Sequence, residues 1–65
     1  MGPSNDHELA IKIAVDSISA AGRLSQSSIP EIGLSLHFAM TKNDCEFLVK
    51  FIRWRMDNPT EDYPA

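Results

Sequence analysis

The chain lacks nearly everything that staples a small protein together. Its 65 residues include a single cysteine, Cys45, so no disulfide can close within it. A lone thiol excludes a disulfide-built secreted scaffold and fits a reducing cytoplasm. Only two histidines, His7 and His37, are present, and neither lies at zinc-site spacing from Cys45. No run approaches the roughly 18–20 apolar residues that span a bilayer. The opening Met1-Gly2-Pro3-Ser4 has neither the basic nor the apolar stretch of a signal peptide, and residues 1–4 read as an appended or disordered start. Basic excess is missing too. Six Lys and Arg stand against nine Asp and Glu, a net charge of −3, which disfavours general nucleic-acid binding. No glycine-rich phosphate loop, HExxH or GxSxG motif occurs. No cofactor, metal, membrane contact or catalytic residue is therefore expected, and the chain reads as a binder and not an enzyme.

What is present is helical periodicity. Three segments separated by turn signals make a single all-α, three-helix domain over residues 5–58, with residues 59–65 as a disordered tail. The first helix is expected from Asn5 to about Leu24, with Asn5 or Asp6 as N-cap and Gly22 near its C-terminal end. At 100° per residue, Glu8, Lys12, Asp16, Ser19 and Arg23 form one narrow polar stripe. The second helix is expected from Ile29 to Met40, opened by a capping box in which Ser28 is N-cap and Glu31 reaches back. A rival strand reading comes from the strict alternation of Ile32, Leu34, Leu36, Phe38 and Met40. Such a strand would need a dimer partner to pair with, and the capping box favours the helix. The third helix is expected from about Asn43 to Met56, capped at Thr41/Asp44 or Asn43/Glu46 and stopped by Asp57-Asn58-Pro59.

Apolar residues cover too much of the first and third helices. The arcs span roughly 240° and 220°, against somewhat over 100° for an ordinary surface helix. Exposed apolar surface marks interaction sites, and a symmetric dimer is a cheap way to bury it. A chain this short also gains from extra burial. The expectation is a helical homodimer that also engages a protein partner. Four alanines discount the arc of the first helix, so the third is expected to carry the interface: Phe47, Phe51 and Trp54, with Leu48 and Ile52 shared between core and partner.

Other residues read as structural. Cys45 lies in a first helical turn, where the dipole lowers a thiol pKa, but no base accompanies it and a packed position beside Phe38 or Leu48 is expected. His37 is expected to face solvent. Lys50, Arg53 and Arg55 around Trp54 could contact phosphates, or simply complement a helix C-terminus. Arg55 falls inside the apolar arc, where it either snorkels or pairs with Asp44 of a dimer mate.

The run Ala14-Val15-Asp16-Ser17-Ile18-Ser19-Ala20-Ala21-Gly22, followed by Leu24-Ser25 and Ile29, resembles the small enterobacterial two-component-system connector proteins, the group of the biofilm-development and acid-resistance regulator. The spacing from Val15 to Gly22 carries the likeness, which extends over about Glu8 to Met56. It implies an all-helical homodimer that tunes biofilm or acid-resistance genes through a sensor-kinase phosphorelay or a repressor. The chain departs from that pattern in its shorter linker after Gly22, in Trp54 and in its acidic tail. Two alternatives stand beside it: a dimeric nucleic-acid-binding transcriptional regulator, and a phage- or plasmid-encoded inhibitor of a host protein.

Overall fold

The computed structural model describes residues 3–62. Three helices account for most of them: α1 (Pro3–Ala20), α2 (Ser28–Ser35) and α3 (Lys42–Asp57). No strand occurs among the described residues, so the alternating segment around Leu34 is not a ribbon.

The first helix starts earlier than its sequence signals suggest. Pro3 opens it, where a missing N–H costs nothing, and Asp6 sits in the first turn and not at the cap. Residues 3 and 4 thus belong to the domain, and Met1 and Gly2 lie outside the described residues. The helix ends at Ala20, short of Leu24. Gly22, at φ +74°, reverses the chain. Its N–H donates to the Ser19 carbonyl (3.0 Å), and the Arg23 N–H donates to the Ile18 carbonyl (3.2 Å). These two bonds are a Schellman cap, which satisfies carbonyls that the helix end leaves open. Open space surrounds Gly22 where a Cβ would stand. Gly22→Ala should therefore cost about 1 kcal/mol through backbone strain alone, with Gly22→Asn costing less. Thermal melts of the two variants check this, and equal losses would point to another cause.

The expected capping box at the second helix does not form. The helix begins at Ser28 with Ser27 as N-cap and no side-chain cap bond. The buried Ser28 hydroxyl instead accepts from the Ser25 N–H (3.1 Å) and donates to the Arg23 carbonyl (3.3 Å), which braces the linker. Glu31 meets Arg23 on the surface at 3.4 Å. The helix also stops at Ser35, five residues before Met40. The Ser35 hydroxyl donates to the Ile32 carbonyl at 2.8 Å, a local bond that competes with continuing the backbone ladder. Leu36 is then extended (ψ 141°), and residues 36–41 run as an irregular connector.

The third helix follows its sequence signals closely. Thr41 Oγ1 accepts from the Asp44 N–H (3.1 Å), and Asp44 Oδ2 accepts from the Thr41 N–H (2.9 Å), a complete capping box.

The core joins all three helices: Ile11, Val15 and Ile18 from α1, Ile32 from α2, and Leu48, Phe51 and Ile52 from α3. Leu24, Ile29, Leu36, Phe38, Met40, Phe47 and Trp54 close over it. Each fully buried aliphatic side chain contributes about 1.5–3 kcal/mol relative to exposure.

Candidate interaction surface

The residues expected to form an interface divide in two. Leu48, Phe51 and Ile52 are 1%, 3% and 0% exposed, so the domain's own core already occupies them. The wide apolar arc of α3 is explained by packing on two sides, against α1 and α2. Phe47 and Trp54 are half-buried and flank Phe51, with ring centroids 6.0 and 5.7 Å from it. They retain some outward surface, and the rest of the face is spent internally.

The basic cluster also separates. Lys50 and Arg53 are exposed, with Glu46 on the same stripe. Arg55 is buried and does not face α3's solvent side. Its Nε donates to Asp16 Oδ1 at 3.0 Å, and its Nη1 donates to the Asn58 and Glu61 carbonyls at 3.0 and 2.8 Å. The guanidinium lies 4.6 Å from the Trp54 ring centroid and 5.6 Å from that of Phe51. Its partner is thus Asp16 of the same chain, and not Asp44 of a mate. The tail expected to be disordered from residue 59 is held as far as Glu61 by these bonds, and residues 63–65 lie outside the described residues.

Asp44 has its own long-range partner. His7 Nδ1 stands 2.9 Å from Asp44 Oδ2, and the imidazole stacks on Phe38 with centroids 3.9 Å apart and planes 3° from parallel. Because the carboxylate only accepts, Nδ1 is the nitrogen that carries the proton. The Thr41 backbone N–H, above all, and then His7 hold the Asp44 carboxyl below its ordinary value of 3.8, with burial opposing them. Folding therefore favours the ionised form. The resulting stability is fully present above the ordinary carboxylate range and is lost as pH falls through and below it, where the unfolded chain takes up the proton first. Asp44→Asn should flatten this acid-side loss while lowering stability at neutral pH. Melts between pH 7 and pH 2 test this, and an unchanged acid slope would exclude Asp44 as its source.

Among the described residues, three of the four large hydrophobic side chains left exposed lie elsewhere, on α1 and α2. A surface helix normally sets polar residues opposite its core. In α1 the core residues Ile11, Val15 and Ile18 centre on one direction, and the opposite side carries Leu9, Ile13 and Ala20, with Asp6 at its start. Leu9 is 56% and Ile13 58% exposed. The polar stripe of Glu8, Lys12, Asp16 and Ser19 runs down one flank of the helix, where Asp16 reaches Arg55. Beside the apolar side a groove of about 510 Å³ opens between α1 and the α2–connector edge. Ala10, Ile13, Ala14 and Ile18 form one wall, and Leu36 and Phe38 part of the other. Glu31, Ser35 and the exposed His37 are its polar members on that second side. Leu34, one turn beyond Glu31, is 88% exposed. The sequence signal for this surface was the wide arc of the first helix. It was discounted for its four alanines, two of which, Ala10 and Ala14, line the groove.

Cys45 is exposed and not packed beside Phe38 or Leu48. Among the described residues, no three His, Cys, Asp or Glu side chains are placed to hold a metal ion, and no helix is long and apolar enough to cross a membrane. No protein-family model, curated protein or solved structure matches the chain.

Proposed function

We propose that the protein is a non-enzymatic, cytoplasmic regulatory module that works by binding other polypeptides, and that its binding surface is the apolar face of α1 and α2. One observation carries this reading. The core closes without Leu9, Ile13 and Leu34, yet these three stand 56–88% exposed on α1 and α2, and Ile13 lines an apolar groove between α1 and the α2–connector edge. Such patches mark interaction sites in small proteins. Homodimerisation belongs to the same reading, because a chain of 65 residues without a disulfide gains most from burying further apolar area.

The resemblance to two-component connectors would make the partner a component of a phosphorelay controlling biofilm or acid-resistance genes. Its two anchor residues also have structural duties: Val15 fills the core and Gly22 reverses the chain. A phage- or plasmid-encoded inhibitor would use the same face against a host protein. The nucleic-acid reading is weaker, since Arg55 is committed internally and only Lys50 and Arg53 remain, beside Glu46.

The test is affinity capture from the native host with three baits: wild type, Ile13→Asp/Leu34→Asp and Lys50→Ala/Arg53→Ala. The expected result is a partner held by the first and third baits and lost from the second. A partner held equally by the second bait, or lost only from the third, overturns the assignment of the face.

A further inference from the structure

We infer that residues 59–61 form a strap that lifts from the folded domain on its own, hinged at Asn58, and that it gates the guanidinium of Arg55. Asn58 is fixed to the end of α3. Its N–H donates to the Trp54 and Arg55 carbonyls at 2.9 and 3.2 Å, and its Nδ2 donates to the Trp54 carbonyl at 2.8 Å. The chain then turns at Pro59 and Thr60 and returns to Arg55. Two bonds close the turn. The Glu61 carbonyl accepts from Arg55 Nη1 at 2.8 Å, and the Glu61 N–H donates to the Asn58 carbonyl at a long 3.4 Å. Pro59, Thr60 and Glu61 are exposed, and none of the core or core-lining side chains comes from residues 59–62. An open cleft of about 250 Å³ lies between this turn and Asp16, Ser19 and Ala20 of α1, with Arg55 on its wall.

Local stability follows buried apolar contact, and a segment with little of it opens ahead of the rest. The strap is held shut by a hydrogen bond to a charged donor, set against the ordering of three residues, two effects of similar size. Arg55 does not leave with the strap. Its Nε keeps Asp16 Oδ1 at 3.0 Å, and the guanidinium stays against the Trp54 and Phe51 rings. The core therefore survives the opening. With the strap closed, Arg55 is 7% exposed. With the strap lifted, Nη1 faces solvent as part of a cation already seated on an aromatic face. Lys50 and Arg53 are exposed whether the strap is open or shut, so Arg55 is the cation of this cluster that a backbone movement covers and uncovers.

The experiment is timed modification of the full chain with phenylglyoxal, which reacts with accessible guanidinium groups, followed by peptide mass mapping of Arg23, Arg53 and Arg55. Arg23 and Arg53 are exposed and set the unprotected rate. Arg55 should react about ten- to a hundredfold more slowly, the worth of one hydrogen bond to a charged group. That ratio should stay nearly constant in low urea, because lifting the strap uncovers little surface. Pro59→Gly, which loosens the hinge, should speed Arg55 about two- to fivefold while leaving the Arg53 rate and the melting temperature unchanged. An Arg55 rate equal to that of Arg53 overturns the proposal, since the strap would then not be closed. So does a rate that climbs with urea in step with global unfolding, or one that Pro59→Gly leaves unchanged.

Discussion

Phe51→Ala should unfold much of the population at room temperature, whereas Ile13→Ala should barely move the melting curve of dilute protein. The Phe51 ring is 3% exposed in the core, with the Phe47 and Trp54 rings stacked beside it. Removing a buried phenylalanine costs about 3–5 kcal/mol through lost transfer energy and the cavity left behind. The whole stability of a domain this size is about 3–10 kcal/mol, so the loss consumes much of it. Ile13 is 58% exposed in the single domain, and substitutions at such positions usually stay within about 0.5 kcal/mol. Urea or thermal unfolding at micromolar concentration separates the two. The ranking also decides which helix faces outward: equal losses, or a larger one at Ile13, would put the core in the wrong place. At high concentration Ile13→Ala should acquire a further penalty, because a partner that binds only the folded chain stabilises it by mass action.

Arg55→Ala should lower the melting temperature by about 10–20 °C, the equivalent of about 2–3 kcal/mol in a domain of this length. The loss has three sources. The ion pair to Asp16 and the two bonds to the Asn58 and Glu61 carbonyls disappear together. The planar cation also leaves the faces of Trp54 and Phe51. Removing Asp16 should cost far less, about 1 kcal/mol or under, because that carboxylate is half-exposed and water replaces its partner. Arg55→Lys should not rescue, since an ammonium cannot present Nε and Nη1 in one plane to acceptors on two segments. Melts of Arg55→Ala, Arg55→Lys and Asp16→Asn give the order, and a near-wild-type Arg55→Lys would mean that charge alone suffices.

The parts of the fold that were legible in the sequence are those fixed by neighbours along the chain. The Thr41/Asp44 box spans only three residues and was one of two caps the spacing offered, beside Asn43/Glu46; the structure forms the first. Gly22 marked the end of the first helix because glycine tolerates a positive φ, although the helix was expected to run on to Leu24 and stops at Ala20. The error at the second helix was of the same local kind. Ser28 and Glu31 have capping-box spacing, but the hydroxyl found the Arg23 carbonyl and the Ser25 N–H instead. The candidate surface was harder to read because it depends on pairs distant in sequence. Arg55 and Asp16 are 39 residues apart, and His7 and Asp44 are 37 apart. Helical wheels show how wide an apolar arc is, but not which part of it neighbouring helices will cover. For α3 the neighbours cover nearly all of it. For α1 they leave Leu9 and Ile13 outside, although both helices looked alike on the wheel.

Asp44 Oδ2 serves two donors from different parts of the chain, the Thr41 backbone N–H and the His7 ring. Helix ends ordinarily open independently and exchange their amide protons quickly. Here a single oxygen ties the first turns of α1 and α3, with Phe38 of the connector stacked on the same imidazole. The three segments should therefore open as a unit. In amide exchange, Thr41 and Asp44 should share one protection factor and lose it together on His7→Ala. The end of the domain where α1 and α3 start would then be its slow-exchanging end, and α2, short and without a side-chain cap, the place where opening begins.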